Sequence, residues 1–308
     1  MGELLTAFQS VFTIVLLVFI GYVLQLKGKI TDAIGSFLSF FVVNITLPCS
    51  VFKTVITSLG SAELKNIPLY VTVIILSQTV SMLLAWGIAK AFKIEDEKKG
   101  TFIALTAFNN TLFMGMPVSI ALFGEANASI ILYYYVGSTI LFWTVGIRVI
   151  AGKKIKGKFK IPTPLYGLVL GIVVVLIREA NPGFGLPAFA TDTLKYIAGM
   201  TTPLSMIFTG FALGQFGLKN IRFDQSVCLG LVARFIVSPL VFIAGIMLLN
   251  VDSLARNVFI VQAFMPVMAS QTVIARQYGV DDKYPAVMVA ISTLMSLVII
   301  PIVKVVIS

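Results

Sequence analysis

Residues 108–117 read Phe-Asn-Asn-Thr-Leu-Phe-Met-Gly-Met-Pro and lie in the middle of an otherwise apolar segment. Adjacent asparagines, a glycine and a proline are all unfavourable in the interior of a regular helix. A second stretch of this kind, residues 262–272, reads Gln-Ala-Phe-Met-Pro-Val-Met-Ala-Ser-Gln-Thr. Both stretches therefore predict helices that are interrupted in the middle.

The setting of these interruptions is a chain that is 58% hydrophobic and only 12% charged. Soluble domains are usually about 45–50% apolar and about 25% charged, so a soluble protein is excluded. Apolar runs long enough to cross a bilayer recur throughout the sequence. They predict an all-α integral membrane protein with ten transmembrane helices, which we number one to ten: 4–26, 33–57, 66–92, 98–123, 127–149, 163–180, 191–216, 221–249, 254–278 and 283–306. The first run lacks the basic start of a signal peptide, so we interpret it as a helix of the mature protein.

The lysines and arginines indicate how these helices are oriented. Of the 23, sixteen fall in loops on one side, six fall on the other, and Arg234 lies within a helix. Because positive loops face the cytoplasm, both termini are predicted to lie outside a multi-pass protein of the cell membrane. A basic linker, residues 151–162, separates a first half (1–150) from a second half (163–308). Five helices per half is an odd number, so the two halves are predicted to be inverted repeats.

The two interrupted helices are the fourth of each half, and we expect them to form the functional site. Lipid leaves no backbone group without an internal partner, so breaks at matching depth predict a cavity. The candidate residues are Asn109, Asn110, Thr111, Gly115 and Pro117 in helix four, and Gln262, Pro266, Ser270 and Gln271 in helix nine. Amide donors and helix amino-terminal ends favour an anion there. Kinks that serve helix packing alone are the alternative interpretation.

A second pair of polar breaks is less specific. Asn44 and Pro48 interrupt helix two, and Thr202 precedes a proline in helix seven, so these helices either line another wall of the site or carry ordinary proline kinks. Arg234 is the one cation well inside a helix, and the sequence offers no carboxylate at that depth to pair with it. Arg234 is predicted either to bind carbonyl groups freed by the breaks or to attract an anionic substrate.

The residues that are missing also exclude several functions. The chain has no histidine, and Cys49 and Cys228 form no metal or redox motif. We identify no nucleophile–base pair, phosphate-binding loop or metal-ligand cluster, so we predict no enzyme activity, no cofactor and no metal. The net charge of +10 lies mostly in loops, where it marks the cytoplasmic face rather than a nucleic-acid partner.

The stretch 110–117 resembles the Asn-Thr-x-x-x-Gly-x-Pro pattern in the fourth helix of the auxin efflux carriers, which include plant PIN exporters and bacterial malonate and malate permeases. Residues 233–235 with Pro239, and 265–266 with 275–278, are similar to the family's eighth and ninth helices. The resemblance implies two inverted five-helix repeats in which helices four and nine cross at the substrate site. Helices one, two, six and seven would form a scaffold, and helices three to five and eight to ten a transport domain that moves like an elevator.

The resemblance also implies a carboxylate substrate, either an auxin-like acid or a small dicarboxylate. Plant members have prolines about where Asn109 and Gln271 stand, so the extra amides here favour the more polar dicarboxylate. A sodium-coupled symporter resembling the bile-acid family is the main alternative. A channel or sensor without turnover is a further one, and a membrane enzyme the weakest. Substrate identity, direction, ion coupling, and the choice between monomer and homodimer stay open.

Overall fold

The computed structural model describes residues 2–58, 61–124, 127–152, 163–217, 223–249, 251, 253–268, 270–281 and 283–307. These residues form helices, with one isolated β-bridge and no strand among them. The helices are α1 (Gly2–Leu26), α2 (Asp32–Phe41), α3 (Leu47–Ser58), α4 (Ser61–Ala91), α5 (Asp96–Ala107), α6 (Met116–Phe123), α7 (Ala128–Leu141), α8 (Ile147–Ala151), α9 (Thr163–Ala180), α10 (Ala188–Gly199), α11 (Thr201–Phe216), α12 (Gln225–Val232), α13 (Ser238–Met247), α14 (Ser253–Ala263), α15 (Ser270–Gln277) and α16 (Lys283–Ile307).

Each of the ten predicted segments overlaps one or two of these helices. Within the described residues, seven helical stretches are long and apolar enough to cross a membrane. The fourth and ninth segments are not among them, because each is divided into two short helices. The first contributes a shorter apolar helix, Val15–Leu26. The protein is thus a multi-helix membrane protein, and the count of ten stays a prediction. Most of the basic linker, residues 153–162, lies outside the described residues.

Four turns of π-helix interrupt the described α-helices. They are Val42–Thr46, Thr111–Gly115, Phe142–Gly146 and Ala233–Val237. Three of them are followed by one residue and then a proline: Pro48, Pro117 and Pro239. A proline lacks the N–H of a regular turn and its ring crowds the preceding turn, so a wider turn before it relieves the conflict.

Two pairs of helices pack most closely against each other. The first, α1 with α11, meets through Gly21 and Gly210, at which any Cβ would collide with the backbone of the other helix. The second, α9 with α3, meets where Gly167 faces the carbonyl of Pro48. Small residues allow helix backbones to approach closely, which is the main source of helix association in lipid.

The helix that begins with α7 occupies the centre of the protein. Its candidate membrane stretch, Ile130–Ala151, is 72% buried, against 28% for the stretch Thr163–Ala180 of α9. Three consecutive buried tyrosines, Tyr133, Tyr134 and Tyr135, contribute to the core between α7, α13 and α14. This buried helix packs against both broken helices.

Candidate functional site

The two broken helices cross at their interruptions. Helix α5 ends at Ala107 and α14 ends at Ala263, and the backbone that follows each is not helical. The Asn110 amide donates to the Pro266 carbonyl (2.8 Å), and the Met268 amide donates to the Phe108 carbonyl (3.2 Å). Asn109 and Val267 thereby form an antiparallel bridge. Each break supplies hydrogen-bond partners that the other break requires in an apolar environment.

Asn109 is the structural centre of this crossing. Its side chain is fully buried and donates to the Tyr134 hydroxyl (3.0 Å) and to the backbone carbonyl of Gln262. The Thr111 hydroxyl donates to the Asn109 side-chain oxygen (2.7 Å). Every polar atom of the Asn109 amide group therefore has a partner, so this side chain fastens helix four to helix nine and to α7.

Asn110 differs from its neighbour. Its residue is 3% exposed, and its side-chain amide forms no hydrogen bond with another residue in the described part of the chain. Its backbone carbonyl accepts from the amides of Met114 (3.3 Å) and Gly115 (2.8 Å). An uncharged amide at this depth is costly without a partner, so Asn110 is the crossing residue most available to a ligand.

Gln262 packs across the face of Gly115. Its side-chain nitrogen donates to the Ser119 hydroxyl (3.0 Å). A Cβ atom on Gly115 would lie 3.0 Å from both Cδ and Nε2 of Gln262, and closer still to Oε1. Only glycine leaves room for this amide, which explains the glycine in the fourth-helix pattern. Gln262 Oε1 itself has no hydrogen-bond partner among the described residues.

Gln271 connects the second half of helix nine to the end of α5. Its side-chain nitrogen donates to the carbonyls of Ala104 and Phe108, both at 3.3 Å. Both carbonyls also accept a backbone amide, that of Phe108 and that of Met268, so Gln271 adds a second donor to each of them across the crossing. Its Oε1 has no partner in the described part of the chain.

Arg234 joins the carboxyl-terminal ends of both broken helices. Its side chain is fully buried and donates to the Thr106 carbonyl (2.8 Å) in the last turn of α5, and to the Ala263 carbonyl at the end of α14. No aspartate or glutamate is buried within the described ranges, so the guanidinium faces carbonyl oxygens rather than a carboxylate. Of the two roles that the sequence left open for Arg234, these contacts support binding to freed carbonyl groups.

Comparison with known proteins matches this chain to the membrane transport protein family over residues 6–163 and 155–304. The chain belongs to this family. The predicted resemblance to the auxin efflux carriers is thereby confirmed.

Individual relatives agree with this assignment. An uncharacterized transporter of Methanocaldococcus jannaschii is 31% identical over 94% of this chain and 95% of its own. An uncharacterized transporter of Methanothermobacter thermautotrophicus is 27% identical over 95% and 96%. A probable auxin efflux carrier component 5c of Oryza sativa subsp. japonica is 26% identical over 52% of this chain and 42% of its own. The family and these relatives are membrane transporters rather than enzymes.

The remaining predicted site residues of this membrane transport protein are placed as follows. Pro117 is the second residue of α6 and Ser270 the first of α15, and the side chains of both lie outside the described structure. Pro266 contributes its backbone carbonyl to the crossing, and Thr111 its hydroxyl to Asn109.

Asn44, Pro48 and Thr202 lie together in a different part of the transporter. Asn44 accepts from the Thr163 hydroxyl at the start of α9 (2.7 Å) and donates to the Phe40 carbonyl. Thr202 is half-buried, and its neighbour Thr201 donates to the Thr46 carbonyl (3.0 Å). These bonds tie the second, sixth and seventh predicted helices to one another. None of the three residues is hydrogen-bonded to a residue of the crossing within the described chain.

A large cavity of about 1450 Å³ opens beside the crossing in this transporter. One wall comes from α1, α2 and α11, and the other from α5, α12, α15 and α16. Asp32, Lys98, Asp224 and Lys283 belong to its lining, and they lie at or near helix ends that are predicted to face the cytoplasm. Thr272, the residue after Gln271, lies in its lining.

Sequence reasoning missed several residues of the site and its cavity. Tyr134 and Ser119 bond directly to predicted site residues, and Ser292 accepts from the Val267 amide (3.2 Å). The run of three tyrosines in α7 was a visible signal, because tyrosine hydroxyls inside a membrane protein require partners. Ser36 and Ser39 line the cavity, and their spacing on one face of α2 was a weaker signal.

Proposed function

We propose that this chain is a secondary transporter that moves a small organic anion, a carboxylate, across the membrane by elevator-type alternating access. Membership of the membrane transport family establishes transport as the class of function. The substrate class and the mechanism are inferred from the charge distribution and packing of the described residues.

The anion proposal rests on a difference between the helix ends at the crossing. The carboxyl-terminal ends face a positive side chain, whereas the amino-terminal ends face no negative one among the described residues. Arg234 binds the negative, carboxyl-terminal ends of α5 and α14. The positive, amino-terminal ends of the following half-helices begin at Thr111 and Ser270, and no buried carboxylate opposes them within the described ranges. Such ends bind anions readily. The Asn110 side-chain amide, which has no hydrogen-bond partner among the described residues, lies at one of them and supplies a donor.

Two features support alternating access between inverted repeats. Under the predicted repeat, helix one corresponds to six and helix two to seven, so the pair α1–α11 corresponds to the pair α9–α3. Both pairs meet through glycines. The cavity lies between the predicted scaffold (α1, α2, α11) and the predicted transport domain (α5, α12, α15, α16), which suits a state open to the cytoplasm.

The test is counterflow of labelled malonate, malate and indole acetate into liposomes that contain the purified protein. We expect saturable exchange of a carboxylate, with malonate or malate preferred over indole acetate. N110A should abolish exchange and leave the melting temperature of the protein unchanged, because the amide has no partner among the described residues. Asn181 lies exposed in the turn after α9, and N181A is the matched control. The proposal fails if no carboxylate exchanges, or if N110A transports normally.

Sodium-coupled symport is a second candidate that one observation favours. The side-chain oxygens of Gln262 and Gln271 are buried acceptors without donors in the described part of the chain. Buried acceptors of this kind can be satisfied by water or by a cation. Dependence of uptake on a sodium gradient would distinguish this candidate from an uncoupled carrier.

A further inference from the structure

We infer that Arg234 is a fixed counter-charge that takes the place of a coupling cation at the crossing. It is a positioning residue that holds the two broken helices at their carboxyl-terminal ends and leaves the positive ends free for the substrate. This inference deepens the proposed function and rests on it for the identity of the substrate.

The charges of the helix ends and of the Arg234 guanidinium balance one another. The carboxyl end of a helix carries an effective charge of about −0.5, so the ends of α5 and α14 together present about −1. The Arg234 guanidinium carries +1 and donates to a carbonyl of each helix. These two carbonyls satisfy its terminal nitrogens, whereas Nε has no partner among the described residues. A mobile sodium ion at this place would add a second positive charge to a group of oxygens that is already neutralised.

The two contacts also make Arg234 a mechanical link. The Thr106 and Ala263 carbonyls belong to different halves of the chain, 157 positions apart, and Arg234 lies on a third element, the π-turn Ala233–Val237. Its planar fork can bond two carbonyls at once, whereas a lysine would present a single point charge. Any movement of one broken helix is therefore transmitted to the other through this side chain.

The inference predicts how substrate charge and Arg234 interact. Removing the guanidinium leaves about one uncompensated negative charge near the crossing. At an effective dielectric constant near 20 and a separation of about 10 Å, that charge weakens binding of a monoanion by roughly tenfold and of a dianion by roughly a hundredfold. A residue with a purely mechanical role would weaken the binding of both probes by the same factor.

The experiment measures dissociation constants from thermal stabilisation of the purified protein by malonate and by indole acetate, in wild type, R234M and R234K. R178M is the matched control, because Arg178 also donates to a carbonyl near a helix end, that of Ile56 (2.9 Å), away from the crossing. We expect R234M to lose at least tenfold more affinity for malonate than for indole acetate, and R178M to change neither. Equal losses for both probes in R234M would overturn the counter-charge role.

R234K keeps the inference testable if R234M does not fold. We expect R234K to bind malonate within about threefold of wild type, because the unit charge is retained. A hundredfold loss in R234K would mean that the fork geometry alone matters and would overturn the inference.

A second experiment tests for a bound sodium ion without any substrate. We expect the melting temperature of wild type to be the same in sodium chloride and in choline chloride at equal ionic strength. A saturable rise with sodium would reveal a bound ion, since a ligand of the folded state stabilises it, and would overturn the inference. If wild type binds no carboxylate but is indifferent to sodium, the proposed function fails while the absence of a sodium site still holds.

Discussion

The Gln262 side chain packs against Gly115, so the G115A variant tests whether this contact holds the two broken helices together. Ordinary van der Waals contacts of a Cβ atom fall between 3.4 and 4 Å, whereas a Cβ on Gly115 would lie 3.0 Å from Cδ and Nε2 of Gln262 and closer to Oε1. The amide must therefore move by several tenths of an ångström or more. It cannot do so freely, because Nε2 is hydrogen-bonded to the Ser119 hydroxyl.

The expected cost of G115A follows from these contacts. Overpacking a well-packed site usually costs about 1–3 kcal/mol, and breaking a buried hydrogen bond adds about 1–3 kcal/mol. The two together give a destabilisation of roughly 2–6 kcal/mol, which should lower the melting temperature by several degrees or more, since 1 kcal/mol corresponds to about 2–4 °C for domains of 150–250 residues. Carboxylate exchange should fall with it, because the displaced amide disturbs the crossing.

Thermal unfolding in detergent and counterflow in liposomes measure these two effects. The matched control is G87A, because Gly87 is exposed on α4 and a Cβ there meets nothing within 4 Å. In that helix interior alanine should be neutral or stabilising by about 0.5–1 kcal/mol. Q262A removes the obstructing amide, so G115A should cost less in that background. Strict additivity of G115A and Q262A, or unchanged stability of G115A, would refute the reasoning.

Three further predictions concern side chains around the site and the helix contacts. N109A should lower the melting temperature by several degrees, because it removes the donor shared by the Tyr134 hydroxyl and the Gln262 carbonyl and the acceptor of the Thr111 hydroxyl; an unchanged value would contradict the contacts. G167A should be strongly destabilising with no change in substrate affinity, because its Cβ would lie 2.9 Å from the carbonyl carbon of Pro48; a specific loss of affinity would contradict this. K98A should change the free energy of unfolding by less than about 1 kcal/mol, because its ion pairs with Glu95 and Asp224 are partly exposed; a larger loss in thermal unfolding would argue against this.

The sequence indicated where the helices break, because proline, glycine and paired amides are local signals. Lipid strengthens such signals, since a freed backbone group inside a membrane must find a partner. The interruptions near 108–110 and 264–268 lie within the two stretches that these residues marked. The π-turns were not predicted. Proline explains three of them once they are seen, but sterics alone do not determine whether a helix widens, kinks or ends.

Contacts between distant parts of the chain could not be read from the sequence. The contact between Gly115 and the Gln262 side chain joins two halves of the protein. The neighbouring sequence does not distinguish this glycine from one that only lets helices pack closely. Arg234 illustrates the same limit. Its position within an apolar segment predicted that it is buried. Whether it binds carbonyl groups or a substrate depends on tertiary packing, which places the ends of α5 and α14 beside it.

The different roles of Asn109 and Asn110 follow from the break itself. In a helix, neighbouring side chains are about 100° apart and share much of one side, whereas in extended backbone they point to opposite sides. Phe108 is extended, with φ −104° and ψ 119°, and Asn109 pairs with Val267 across the bridge. Asn109 therefore points into the protein towards Tyr134 and Gln262. Asn110, the next residue, is also buried but forms neither of those side-chain bonds. A break in the helix thus converts two identical neighbours into one residue that holds the crossing and one whose side chain has no partner in the described part of the chain.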